Sequence, residues 1–93
     1  MKGEKMKFWA KIWKNGRMER DKNLEDYSED TRTHKVFRAL EEVCREFDLE
    51  RPLWLDANIK EFKRHAKVRF RQDSFIEEIP FDYLEFQVTE EDW

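Results

Sequence analysis

From Met6 to Trp13 apolar and polar positions alternate, with Met6, Phe8, Ala10 and Ile12 on one side and Lys7, Trp9, Lys11 and Trp13 on the other. A period of two is that of a strand with one buried face. Asn15-Gly16 follows, and this pair adopts the positive φ angles that a tight hairpin turn requires. A two-residue loop sets Ile12 opposite Glu19 and Phe8 opposite Asn23, which mixes the faces. A three-residue loop with Gly16 in a bulge sets Ile12 opposite Met18, Met6 opposite Leu24, Lys11 opposite Glu19 and Trp13 opposite Arg17. That register joins apolar to apolar and acid to base, so it is the expected one. It turns Trp9 and Trp13 away from the main core.

Beyond the hairpin the period changes. Val36, Phe37, Leu40, Val43, Cys44 and Phe47 form one helical stripe, with Arg38, Glu41, Glu42 and Arg45 opposite. Ser28 or Thr31 is the candidate N-cap, and the helix is expected over residues 31–48, stopping before Arg51-Pro52. Asp56 then opens a shorter helix to about His65, with Ile59, Phe62 and Ala66 inward and Lys60, Lys63, Arg64 and Lys67 outward. Residues 67–71 alternate as a strand. Ser74-Phe75-Ile76-Glu77 reads as a capping box for one helical turn that Pro80 stops. Tyr83 to Thr89 is a last strand, with Leu84, Phe86 and Val88 inward and Tyr83, Glu85 and Gln87 outward. If it pairs with residues 67–71, the arginines and Glu85 share a face.

These elements predict a single α+β domain over residues 1–93: a small, mostly antiparallel sheet starting with a β-hairpin, one main helix on one face, and a second short helix. Composition is consistent with a packed core despite 44% charged residues, since hydrophobic residues make up 39% and eight Phe and four Trp supply large apolar side chains. Two Gly and two Pro leave no low-complexity tract and no glycine-rich phosphate loop. Net charge is −3, but it is distributed in blocks of alternating sign. Residues 1–20 and 60–71 are basic, whereas 21–50 and 72–93 are acidic, so neighbouring elements can neutralise one another. No apolar run reaches the length of a signal peptide or a membrane span, and one cysteine makes no internal disulfide. The cytoplasm is the expected compartment.

Three segments, "EDTRTHKVF", "WLDANIKEFKRH" and "QDSFIEEIPFDYLEFQV", resemble a family of small uncharacterised proteins from anaerobic Firmicutes, over nearly the whole chain from Met6. The resemblance implies a bacterial cytoplasmic protein. It brings no activity, cofactor or catalytic residues.

Candidate chemistry is sparse. Cys44 lies in the apolar stripe and reads as a packing thiol. His34 and His65 are isolated, without partners at metal-ligand spacing, so no metal site is expected. Asp73-Ser74 is explained by capping rather than by nucleophilic catalysis. The acids Glu77, Glu78, Asp82, Glu85, Glu90, Glu91 and Asp92 lack a calcium-loop pattern and read as a solvated terminus. Trp9 and Trp13 are the anomaly, unless residues 52–55 or the tail fold over them.

The expected function is therefore a non-enzymatic module that binds a protein partner or a second copy through Trp9, Lys11, Trp13 and Arg17, since Trp and Arg dominate interface hot spots. The alternative is weak single-stranded nucleic-acid binding through Trp9 and Trp13 with Lys60, Lys63, Arg64 and Lys67. Nucleic acid is the less favoured partner and an enzyme the least favoured reading. No catalytic residue, cofactor or membrane association is expected.

Overall fold

The computed structural model describes residues 5–91. Strands β1 (Met6–Lys14) and β2 (Arg17–Asp26) form the hairpin, followed by helices α1 (Arg32–Phe47) and α2 (Asp56–His65) and strands β3 (Lys67–Phe70) and β4 (Tyr83–Glu91). The four strands make one antiparallel sheet in the order β2-β1-β4-β3. The last strand thus sits between the first and the third. The α+β class, the opening hairpin and both helices are as the sequence predicts.

Burial alternates along β1, and its even positions Met6, Phe8, Ala10 and Ile12 share one core with Leu84, Phe86, Val88, Val68, Phe70 and the buried sides of both helices. Phe8 stacks on Phe86 with ring centroids 5.5 Å apart. Trp54, from the connection between the helices, sets its ring edge-on to Phe62 at 5.5 Å and Phe70 at 4.9 Å. Both helices lie on this one face, so the described residues form two layers and the opposite sheet face carries no helix among them.

The hairpin register departs from expectation. Asn15 (φ 52°) and Gly16 (φ 75°) form a two-residue turn between Lys14 and Arg17, as both-positive turns do. A bulge then inserts Glu19 into β2, and Ile12 pairs with Arg20, Phe8 with Leu24 and Met6 with Asp26. The face pattern alone favours a three-residue loop with its bulge at Gly16, whereas a two-residue turn with the bulge at Glu19 satisfies both the turn and the Phe8–Leu24 contact. Met18, not Arg17, stands opposite Trp13, and Asp21, not Glu19, opposite Lys11.

Helix α1 begins at Thr31, whose hydroxyl accepts the His34 N–H (3.2 Å), and ends at Asp48 in the left-handed region. Its stripe is shifted from the expected one. Lys35 and Ala39 are buried, whereas Phe37 is 50% exposed and turns to the edge of Trp54. Ile59 is likewise 37% exposed, because α2 docks through Phe62 and Asn58 instead. Asp56 is the first residue of α2 rather than its cap, and the Leu55 N–H is accepted by Asn58 Oδ1 (3.0 Å).

The expected capping box at Ser74 is absent. Residues Gln72–Ser74 form a short 3-10 turn, and the fully buried Ser74 hydroxyl donates to Asn58 Oδ1 (2.9 Å). That bond ties the turn to α2, a long-range use of the hydroxyl that no local pattern announces. The acidic segment is not simply a solvated terminus either. Asp82 accepts the Asn15 N–H, Glu90 pairs with Lys5 and Lys7, Glu91 pairs with Arg32, and Glu85 is buried; Asp92 lies outside the described residues.

Candidate functional site: the open face of the sheet

Strand alternation decides which side chains occupy the helix-free face. β1 contributes Lys7, Trp9, Lys11 and Trp13, and β4 contributes Tyr83, Glu85 and Gln87. Lys67 and Arg69 from β3 pair with Gln87 and Glu85, and on the other side Met18 and Asp21 from β2 pair with Trp13 and Lys11. Residues 52–55 do not cover the tryptophans, since Trp54 belongs to the opposite layer. Trp9 and Trp13 are half-buried by their own neighbours on the face.

At the centre stands Glu85, 4% exposed although it lies on the open side. Its carboxylate is roofed by Arg69 Nε at 3.1 Å, Lys11 Nζ at 3.3 Å and Lys67 Nζ at 4.0 Å, and accepts the Trp13 indole N–H at 3.3 Å. Burial pushes the Glu85 pKa up, but the bonds from Arg69, Lys11 and Trp13 outweigh it and hold the carboxyl below its ordinary value. The same hydrogen bond raises the pKa of Arg69. Around this centre Lys11 Nζ sits 3.7 Å above the Trp9 ring, whose indole N–H donates to Asp21 Oδ2 (2.9 Å). Trp13 and Tyr83 lie with ring centroids 6.4 Å apart, and Arg69 and Arg71 stand over Tyr83 at 5.1 and 5.3 Å. A continuous string of cation–π and charged contacts therefore crosses the sheet from Asp21 to Arg71.

The arrangement does not suit acid–base work. A carboxylate held ionised by several cations is too weak a base, and it has no proton to give at neutral pH. Cys44 sits in the core, where burial raises its thiol to about 11, and Ser74 is sealed beneath α2. His34 pairs with Asp30 at 2.8 Å at the start of α1, and with the Thr31 N–H and Arg38 it holds that carboxyl down to about 2. Among the described residues no group of three His, Cys, Asp or Glu side chains is placed to hold a metal ion.

The sequence-predicted interaction set is mostly assembled. Trp9, Lys11 and Trp13 share the open face, whereas Arg17 pairs with Lys14 on the other side of the hairpin, and Met18, 44% exposed, takes its place beside Trp13. The basic set Lys60, Lys63, Arg64 and Lys67 is dispersed over three places. Lys60 and Arg64 line a cleft of about 510 Å³ between α2 and β3, with His65 and Arg71. Lys63 lines a groove between the helices, and Lys67 joins the roof over Glu85. Tyr83 and Arg69 were absent from the expected set. The signal for them was the outward alternation in the last two strands, and what it lacked was the placement of β4 beside β1.

No helix among the described residues is long and apolar enough to cross a membrane. Comparison with protein-family models, with curated proteins and with solved structures gives no significant match, so the likeness to the Firmicutes family gains no support there.

Proposed function

We propose that the protein is a cytoplasmic, non-enzymatic interaction module that binds a protein partner through the open face of its sheet. The observation that carries this reading is the state of the aromatic residues there. Trp9, Trp13 and Tyr83 lie half-exposed beside exposed Met18 on a face with no second layer among the described residues, while both indole N–H groups already have partners within the chain. Such side chains offer rigid apolar area with little polar desolvation on binding, which is the profile of an interface centre.

Base stacking is less well served. Lys11 occupies a face of the Trp9 ring, and Arg69 and Arg71 crowd Tyr83. The cations of the face also meet Glu85, Glu25 and Glu90 before any phosphate.

Site-specific photocrosslinking tests the proposal. A photoreactive residue in place of exposed Asn23, beside Trp9 on the open face, is expected to capture a discrete protein adduct in extracts of the native cell. The same residue at Arg45, on the outer side of α1, should not. Capture of nucleic acid from position 23, or no adduct from it, overturns the reading.

A further inference from the structure

The helical layer exposes a second apolar region that the open sheet face does not include. Between α1 and α2 runs a groove of about 310 Å³, floored by Val36, Trp54 and Phe62 and walled by Phe37 and Ile59. Phe37 and Trp54 also line a neighbouring hollow that reaches Leu53, itself 49% exposed. Three large apolar side chains left half-open around one indole are unusual on the surface of a chain with 44% charged residues. Cations mark the ends of this apolar strip: Lys63 and Arg32 at the groove, the latter held by Glu91, and Arg51, paired with Glu41, at the hollow.

The chain also carries a side chain of complementary shape and charge. Ile76 is 81% exposed, the most exposed of the large hydrophobic side chains among the described residues, and it is followed by the exposed acids Glu77 and Glu78. It does not sit on a loose loop. Phe75 is buried just before it, the Gln72 side chain donates to Glu77 O (2.9 Å) and accepts from the Ile79 N–H (2.9 Å), and Glu50 accepts the Glu77 N–H (2.9 Å). An apolar knob held rigidly in water is prepaid for association, because little conformational freedom is lost when it is covered.

We infer that the groove between α1 and α2 receives Ile76 of a second copy of this chain, with Glu77 and Glu78 meeting Lys63 at its rim. The knob does not enter its own groove, being open to solvent in the folded chain. Knob and groove are nevertheless neighbours, joined through residues 53–54, since the Leu53 N–H donates to Ser74 O (2.7 Å) and Trp54 floors the groove. Two copies can therefore exchange knobs about a two-fold axis, and the contact closes as a dimer rather than a filament.

Sedimentation velocity on the full chain over a concentration series is the test. The native chain is expected to pass from monomer to dimer, and Ile76→Asp, a substitution at an exposed site that leaves the fold intact, should weaken the dimer by at least about tenfold. Lys63→Glu and Glu78→Lys should each weaken it, and the two together should recover much of the loss. A strict monomer up to about 1 mM, or a dimer indifferent to Ile76→Asp, overturns the inference. Neither result bears on the sheet face, whose crosslinks from position 23 should survive Ile76→Asp.

Discussion

Glu85 and Arg69 stand directly opposite each other on β4 and β3, with the guanidinium Nε 3.1 Å from the carboxylate. This pair ties a basic segment to an acidic one across the sheet, and it draws Lys11 and Trp13 of β1 into the same centre. Three strands are joined there through one buried carboxylate. The backbone of Arg69 is engaged as well, because its N–H donates to Glu61 Oε1 (3.0 Å) and so the free edge of β3 is closed by α2.

Replacing Glu85 by Gln should destabilise the fold by about 1 to 3 kcal/mol at pH 7, since Lys11 loses its counter-charge while Arg69 can still turn to water. The pH dependence has a definite sign. Glu85 is held below its ordinary value of 4.5, so its contribution is present above that pH and disappears as pH falls through the lowered native value. Urea unfolding of both proteins at pH 7 and pH 3 should show the gap narrowing in acid. An equal gap at both pH values would remove the carboxylate from the account.

The turn offers a cleaner backbone test. Gly16 has φ 75°, and a Cβ placed there would meet nothing within 4 Å, so Gly16→Ala carries conformational strain without a clash. A cost of about 1 kcal/mol is expected, or a fall in melting temperature of about 4 to 8 °C for a domain of this size. No change would mean that the turn relaxes to another type.

Stabilisation should come from the end of α1. Asp48 occupies the left-handed C-cap at φ 56° and places a negative charge beside the negative end of the helix dipole. Asp48→Gly removes both penalties and should raise stability by about 0.5 to 1 kcal/mol. Thermal denaturation would show this as a higher midpoint, and a lower one would point to a role for the carboxylate.

Cys44 is 1% exposed and its thiol is raised to about 11 by burial. At pH 8 the native thiolate is scarcer than in the unfolded chain by roughly two orders of magnitude, before access is considered. Labelling by a thiol reagent should therefore wait on global unfolding and accelerate sharply in denaturant. Rapid native labelling is the result that would contradict a core position.

The sequence makes the elements legible because their signals are local: β1 through its period of two, α1 through its apolar stripe and the cap candidates Ser28 and Thr31, and the hairpin turn through Asn15-Gly16, although it is a two-residue turn and not the three-residue loop that the face pattern favours. Alternation also puts Arg69 and Glu85 on one face once β3 pairs with β4, a pairing the structure supplies. What escapes the sequence is long-range. The bulge at Glu19 depends on reconciling the turn with the Phe8–Leu24 contact, and the exposure of Phe37 and Ile59 depends on how the two helices are rotated. The site shows the same division, for alternation places Trp9, Lys11 and Trp13 together, whereas Tyr83 joins them only because β4 inserts beside β1.

That division also decides how the basic segment of residues 60–71 should behave toward nucleic acid. Its apolar members Phe62, Val68 and Phe70 are buried, so none can stack on a base. Arg69 and Lys67 are answered by Glu85, and Lys63 points to the helix groove. Lys60, Arg64 and Arg71 are left in one cleft, with Glu61 and Asp73 among them. Three phosphate contacts to a single strand give a salt slope of about −2, and affinity of the non-specific kind, with Kd on the order of 10⁻⁴ to 10⁻⁶ M. Fluorescence anisotropy with single-stranded RNA and DNA at two salt concentrations is the measurement. Submicromolar binding near 0.15 M salt, lost on changing Lys60 and Arg64 to Ala without loss of folding, would make the cleft rather than the open face the principal site.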